Sequence, residues 1–169
     1  MAVATWIEEE LKQHGVPFEE CHHPEVFTAQ AVAQREHVSG HHVAKVVVVM
    51  ADDRPVELIL PASRRVILSR IKEMLGARDV RLASEEEMAR HFTDCEQGAI
   101  PALRHWPNID VLMDESMRCK GDVLIQGGTH QDAVRMRFDD WFSLVQARVG
   151  NFSAPCDREA QFTEEESVF

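Results

Sequence analysis

Apolar residues recur along this chain at two spacings, and each change of spacing marks a new element. Ile7 and Leu11 share one helical face, Thr5-x-x-Glu8 has the pattern of a capping box, and Gly15 with Val16-Pro17 closes the helix. Residues 18–21 read as a short extended piece. Thr28 is placed to cap a second helix over 29–36, with Ala29, Val32 and Ala33 inward and Ser39-Gly40 as its stop. The dense β-branched run over 43–50 predicts a buried strand, and 56–60 returns as its hairpin partner across an Asp-Asp-Arg-Pro turn.

Downstream, Ser63 is placed to cap a helix over 64–75 whose inward residues are Val66, Ile67, Ile71, Met74 and Leu75. A short strand follows at 80–82. Ser84-x-x-Glu87 boxes a helix carrying Met88 and Phe92. Residues 93–107 have no period and hold Gly98, Pro101 and Pro107; a loop of this length inside a compact domain points to function. Residues 109–113, 122–126 and 133–138 read as strands, the last with Val134, Met136 and Phe138 alternating against Arg135 and Arg137. Asp139 or Asp140 is placed to cap a final helix with Trp141, Leu144 and Val145 inward. Helices and hairpins interleave without a βαβα rhythm. The expected class is α+β, with a mixed, mostly antiparallel and partly barrel-like sheet surrounded by helices.

Composition narrows the function classes. The chain has 169 residues, enough for one domain with its own core over 1–150, followed by an acidic and flexible tail over 151–169. The net charge of −11 argues against wrapping DNA or any long duplex. The sign reverses only between Pro61 and Arg81, where Arg64, Arg65, Arg70, Lys72, Arg78 and Arg81 outnumber Glu73 and Asp79, so a short polyanion could dock there. Acidic residues 8–10 interrupt any signal-like segment, and the longest uncharged apolar run is far too short to span a bilayer, so neither secretion nor a membrane is expected. Cys21, Cys95, Cys119 and Cys156 lack metal-ligand or redox spacing, which favours a reducing, cytoplasmic setting.

Three segments carry candidate chemistry. Lys45 interrupts the apolar strand: it either snorkels at a strand end or presents a cation to an anion such as phosphate. Gly98-Ala99-Ile100-Pro101 combines close backbone approach with a stiffened turn. Gly127-Gly128-Thr129-His130 is a hairpin turn or bulge that also sets an imidazole at the sheet rim. The histidines, including His22, His23, His37, His41 and His42, show no zinc-ligand spacing, so neither a metal nor another cofactor is expected. No nucleophile elbow, P-loop or dinucleotide fingerprint occurs, and Cys95 and Cys119 have no evident basic partner.

In this order the segments resemble the YbaK/EbsC family, within the aminoacyl-tRNA deacylase superfamily that includes the editing insertion of bacterial prolyl-tRNA synthetases. The marks are His23-Pro24…Phe27-Thr28-Ala29, Val43-Ala44-Lys45-Val46, Asp94-Cys95-Glu96-Gln97-Gly98-Ala99-Ile100-Pro101, Asp114-Glu115-Ser116, Gly127-Gly128-Thr129-His130 and Arg135-Met136. The resemblance implies a free-standing, metal-independent deacylase that hydrolyses the ester of a small amino acid on a mischarged tRNA, on tRNA-Pro or similar. The alternative is a silent accessory module that binds tRNA or a synthetase. The resemblance further implies that Lys45, Gly98 and His130 are catalytic, and that Thr28, Ala99, Ile100, Pro101, Gly127, Gly128 and Thr129 bind substrate. Lys45 would handle the tRNA terminus, the Gly98 loop would hold the aminoacyl moiety, and His130 would lie at the terminal ribose. The expected partners are the aminoacyl-tRNA 3′ end and an aminoacyl-tRNA synthetase. Family loops often carry two successive prolines where this chain has Pro101-Ala102.

Overall fold

The computed structural model describes residues 3–23, 31–33, 42–96, 98–118 and 120–156. Its elements are α1 (Thr5–Gln13), β1 (Phe18–His22), β2 (Val43–Ala51), β3 (Arg54–Pro61), β4 (Arg64–Val66), α2 (Leu68–Leu75), β5 (Val80–Leu82), α3 (Glu85–His91), β6 (Asp110–Asp114), β7 (Asp122–Gln126), β8 (Asp132–Arg137), α4 (Phe138–Val145), β9 (Arg148–Gly150) and β10 (Ser153–Pro155). Strands β1-β8-β7-β2-β3-β6-β9 are ordered in one mixed sheet, β5 adds to β2, and β10 pairs with β4 in a separate ribbon. Antiparallel ladders join β1/β8, β8/β7, β2/β3, β2/β5 and β4/β10, whereas β2/β7, β3/β6 and β6/β9 are parallel. The α+β reading with a mostly antiparallel sheet holds.

All nine residues of β2 are buried, so both of its faces must be covered. Ala44, Val46, Val48 and Met50 pack with Ile7 and Leu11 of α1 and with Phe138, Trp141 and Val145 of α4. Val47, Val49 and Ala51 pack on the other face with Ile71 of α2 and Phe152. Val43 joins Val32 and Ala33, Leu124 and Ala133 in a third cluster. Fully burying a side chain of this size stabilises by about 1.5–3 kcal/mol, so β2 carries a large share of the core. Among the described residues, no helix is long and apolar enough to cross a membrane.

Several expected boundaries shift. Residues 64–66 form a strand rather than the start of a helix, because Arg64–Val66 pairs with Ser153–Pro155 and Ile67 caps α2. Arg64 fixes that ribbon by donating from Nε to Ser153 Oγ at 2.6 Å and from Nη2 to Ser153 O at 3.0 Å. Long-range pairing of this kind leaves no local signal. The polar tail expected from Asn151 is corrected over 151–156, since Phe152 is fully buried and Ser153 nearly so; residues 157–169 lie outside the described residues. Helix α1 starts one residue early for a Thr5 capping box, with Ala4 as its uncapped N-cap. Helix α4 likewise begins at Phe138, leaving Asp139 and Asp140 in its first turn, where they favour the helix dipole. By contrast the Ser84/Glu87 capping box forms as read, and Arg81 with Ser84 holds the Glu87 carboxyl down to about 2. Of the helix expected over 29–36, residues 31–33 are helical and the rest lie outside the described residues.

Asp114 explains the Asp-Glu-Ser mark. Its buried carboxylate accepts from Ser116 N at 3.0 Å, from Ser116 Oγ, and from Phe152 N at 2.8 Å, tying the turn after β6 to the segment before β10. Burial pushes its pKa up, but the hydrogen bonds from Ser116, Phe152 and Ser153 outweigh burial and leave it below the usual 3.8. An acid with a lowered folded pKa adds stability above its unfolded value and loses it as pH falls through the folded value. Asp114→Asn is therefore expected to destabilise by about 1.5–3 kcal/mol at pH 7 and to flatten the loss of stability below pH 4. Urea midpoints at pH 7 and pH 3 check this; a variant matching the parent at both would refute it.

Candidate functional site

The ladders around β2 leave a notch. On one side β2 pairs with β3 along almost its whole length; on the other, β7 pairs only with Val43 and Ala44, and β5 only from Val49 onward. Lys45 stands at the near edge of that notch, 7% exposed, opposite Leu60 of β3. One step beyond the last β7 pair, Ala44↔Ile125, its neighbour along the parallel register is Gln126. The chain then leaves the sheet through Gly127 and Gly128.

The two glycines are needed for different reasons. A Cβ on Gly127 would lie 3.1 Å from the backbone and Cβ of Asp132, while Gly128 sits at φ +90. Gly127 N donates to Asp132 O at 2.8 Å, closing the β7–β8 hairpin, and Gly127 O accepts from Ala4 N at 3.1 Å, which seats the start of α1 on this turn. The segment is thus a hairpin turn and the rim of the site at once.

The 93–109 loop is pinned along its length. Gly98 adopts φ +80, and residues 98–103 are all buried. Trp141 Nε1 donates to Ala102 O at 2.7 Å. Arg104 donates to Ile109 O, to Val145 O at 3.2 Å and to Gln146 O at 3.1 Å, covering the C-terminal carbonyls of α4. Glu57, wholly buried in β3, accepts from His105 N at 3.1 Å and from His105 Nδ1 at 2.7 Å. The His105 ring lies between Trp6 and Phe92, at centroid distances of 5.2 and 4.7 Å.

Glu96 joins the two loops. Its backbone N donates to Gly128 O at 2.7 Å, its carbonyl accepts from Ala99 N at 3.0 Å, and its Oε2 accepts from His130 N at 2.9 Å. The His130 ring Nε2 is 3.7 Å from the same Oε2, and that ring is 11% exposed. The Ala99 N–H is thereby occupied. Among the described residues, the buried Gly98 and Ile100 N–H groups donate no hydrogen bond within the chain. Pro101 has no N–H to add.

Asp132 is one of the residues that sequence reasoning missed. It is buried, accepts from Thr129 Oγ1 at 2.5 Å and bonds His22 Nδ1, so it fixes the turn that carries His130. Thr129 therefore faces Asp132, while its Oγ1 also accepts from Gln131 N at 3.2 Å. The available signal was an aspartate directly before a buried strand. Cys95 is no nucleophile, because burial, then Asp94 and Glu57, push its thiol up to about 12. Among the described residues no cluster of three metal-ligating side chains occurs. Thr28, His37 and His41 lie outside the described residues, as does Cys119.

A profile of the aminoacyl-tRNA editing domain matches residues 23–144. The chain belongs to that family. It is 30% identical over 122 residues to the proline–tRNA ligase of Chlamydia caviae, covering 70% of this chain and 20% of the ligase. It is 27% identical over 110 residues to the ligase of Aquifex aeolicus, covering 64% and 19%. The editing domain thus spans about a fifth of the curated relatives it matches. Among solved structures, a candidate trans-editing enzyme for prolyl-tRNA synthetase superposes with a TM-score of 0.79 at 20% identity, over 89% of this chain and 96% of that one. The segments read as marks of the editing domain, from His23-Pro24 to Arg135-Met136, fall inside the matched span.

If Glu96 holds the two loops of this editing domain together, Glu96→Ala should release them. Amide hydrogen exchange at His130 is expected to quicken at least tenfold, with about 1–3 kcal/mol of stability lost. Unchanged exchange at His130 would show that the turn holds itself.

Proposed function

We propose that this chain is a free-standing trans-editing deacylase that hydrolyses the ester between a wrongly attached small amino acid and the 3′ end of a tRNA, tRNA-Pro or similar, in the cytoplasm and without a metal. The observation that carries the reading is the pair of buried N–H groups at Gly98 and Ile100, without an acceptor among the described residues, in the loop that Glu96 ties to the His130 turn. Two such donors suit the oxygen of a tetrahedral intermediate, where a preorganised donor contributes about 10²–10³-fold to rate. Membership of the editing-domain family supports the same chemistry.

In this reading the terminal phosphate is neutralised by Lys45, as a point charge at the edge of the notch. The aminoacyl carbonyl lies against Gly98 to Pro101, with its oxygen toward the Gly98 and Ile100 N–H groups. Water attacks the carbonyl carbon, and the ribose oxygen leaves with a proton. His130, held by Glu96 and beside Thr129, either takes the proton from that water or orients the terminal ribose. Gly127 and Gly128 let the ribose approach backbone. Thr28, which lies outside the described residues, is assigned to the same substrate-binding set from the sequence resemblance alone. A hydrophobic wall separates amino acids by only about 1–3 kcal/mol per methylene, so the pocket acts as a second sieve after a synthetase, which is the expected protein partner.

Deacylation of a mischarged tRNA panel tests the reading. Lys45→Ala is expected to fold normally and to lose one to two orders of magnitude in rate, as a charge-assisted contact of about 1.5–3 kcal/mol is removed. With His130 as base, His130→Ala loses about 10²–10⁴-fold and the parent rate falls as pH drops through an imidazole-like pKa; with an orienting His130 the loss is smaller and that step is absent. Chelator leaves the rate unchanged. Parent-like rates in both folded variants, or no hydrolysis by the parent, would instead favour a silent tRNA- or synthetase-binding module.

The fold divides the basic stretch. Arg64 is bound to Ser153 and lies 4.0 Å from Asp114, and Arg81 is paired with Glu87 at 2.6 Å. Of Arg64, Arg65 and Arg70, the arginines best placed in the sequence to dock an acceptor backbone, Arg65 and Arg70 remain, with Arg70 also donating to Asn151 Oδ1 at 3.0 Å. Charge reversal at Arg65 and Arg70 should lower the slope of log affinity on log salt by about one for each phosphate they neutralise. An unchanged slope would leave these arginines as solvated surface.

A further inference from the structure

Strand β3 pairs with β6 from Asp110 onward, but β9 pairs with it only from Leu112. The start of β6 is therefore left uncovered along the β9 side. A cavity of about 420 Å³ opens there, lined by Leu75, Arg104, Asp110, Leu112, Gln146 and Arg148 among others. That volume falls in the range of about 300–1,000 Å³ usual for small-molecule sites. Leu112 and Arg148 stand opposite each other in register, and Asp110 shares the face of Leu112 because strand side chains alternate. Leu75, the last residue of α2, packs over the same face. The cavity is separate from the notch. Asp110 pairs with Val56 near the start of β3, whereas Lys45 pairs with Leu60 near its end, about 13 Å further along the strand.

The charges on its wall select a ligand. Arg104 is part-buried, and its hydrogen bonds go to the carbonyls of Ile109, Val145 and Gln146, which leaves N–H groups of the guanidinium unused and its charge uncompensated by any carboxylate among the described residues. Arg148 and Asp110 are exposed, and among the described residues neither side chain has an ion pair. A simple anion would be drawn to the arginines and repelled by Asp110; a simple amine would meet the reverse. A solute with both charges on neighbouring atoms satisfies all three groups. We propose that this cavity is a second binding site, for a free α-amino acid. Its carboxylate is held by Arg148 and the unused N–H groups of Arg104, its ammonium by Asp110, and a small side chain lies against Leu75 and Leu112. The site goes beyond the deacylase reading and uses no residue of the notch.

Titration of the ¹⁵N-labelled full chain with L-alanine at pH 7, followed by amide chemical shifts, tests this. The parent should bind with a Kd of about 1 mM or below, and the shifts should centre on Asp110, Val111, Leu112, Gln146 and Arg148 rather than on Gly98 or His130. Acetate and methylammonium each carry only one of the two charges and should bind at least about tenfold more weakly. Arg148→Met keeps most of the aliphatic stem and Asp110→Asn keeps the size of the side chain; both should melt as the parent does and lose L-alanine by about tenfold or more. Lys45→Ala should bind L-alanine as the parent does. Absence of saturable shifts, shifts confined to the notch, acetate binding as tightly as L-alanine, or parent-like binding by folded Arg148→Met would each overturn the proposal. Binding at this cavity by a parent that hydrolyses no mischarged tRNA would support the site while overturning the deacylase reading.

Discussion

The structure depends on one strand that has no exposed face. Because β2 is buried at every position, helices and loops must cover it on both sides, and its two edges must be paired or filled. Strand β3 takes one edge. The other is divided between β7 and β5, which reach it from opposite ends and leave the middle open. The candidate site lies at that opening, where a buried sheet can present a lysine while its neighbours stay packed. A conventional central strand, paired along both edges, would have no room for it.

The loop opposite the notch is held by groups that bond its backbone. Glu96, Trp141 and Glu57 each reach a main-chain N–H or C=O of the loop or of the turn beside it, and Arg104 carries its end onto α4. Glu57 is the costliest of these anchors, a carboxylate in the middle of the sheet, and its acceptance of two hydrogen bonds from His105 offsets part of that burial. Together the anchors fix the loop before any ligand arrives, which is the condition for backbone donors to stabilise developing charge without reorganising.

Elements whose cause is local were legible in the sequence. The β-branched run of β2, the hairpin to β3, the Ser84/Glu87 box and the alternation of β8 all carry their signals within a few residues. What escaped was decided at long range: the β4–β10 ribbon, the burial of Phe152, and the conversion of Arg64 from a surface cation to a structural donor. At the site, Lys45, Gly98 and His130 stood out by residue type, one oddly placed in an apolar run and two beside glycine turns. Glu96 and Asp132 did not, because an acid near a turn looks like solvated surface until folding buries it or sets it against a partner. Glu57 was similarly hidden inside an otherwise apolar strand.

The fixing of Ala102 bears on the pair of prolines that the sequence resemblance leads one to expect at Pro101-Ala102. Trp141 holds that residue by its carbonyl, and among the described residues the Ala102 N–H has no acceptor within the chain. Proline would supply the same carbonyl and lack the idle donor, while also fixing φ at 102 and restricting residue 101. The indole hydrogen bond thus asks of residue 102 only a carbonyl, and alanine meets that demand. Part of the constraint on the loop's path is thereby carried by Trp141, distant along the chain but adjacent in space.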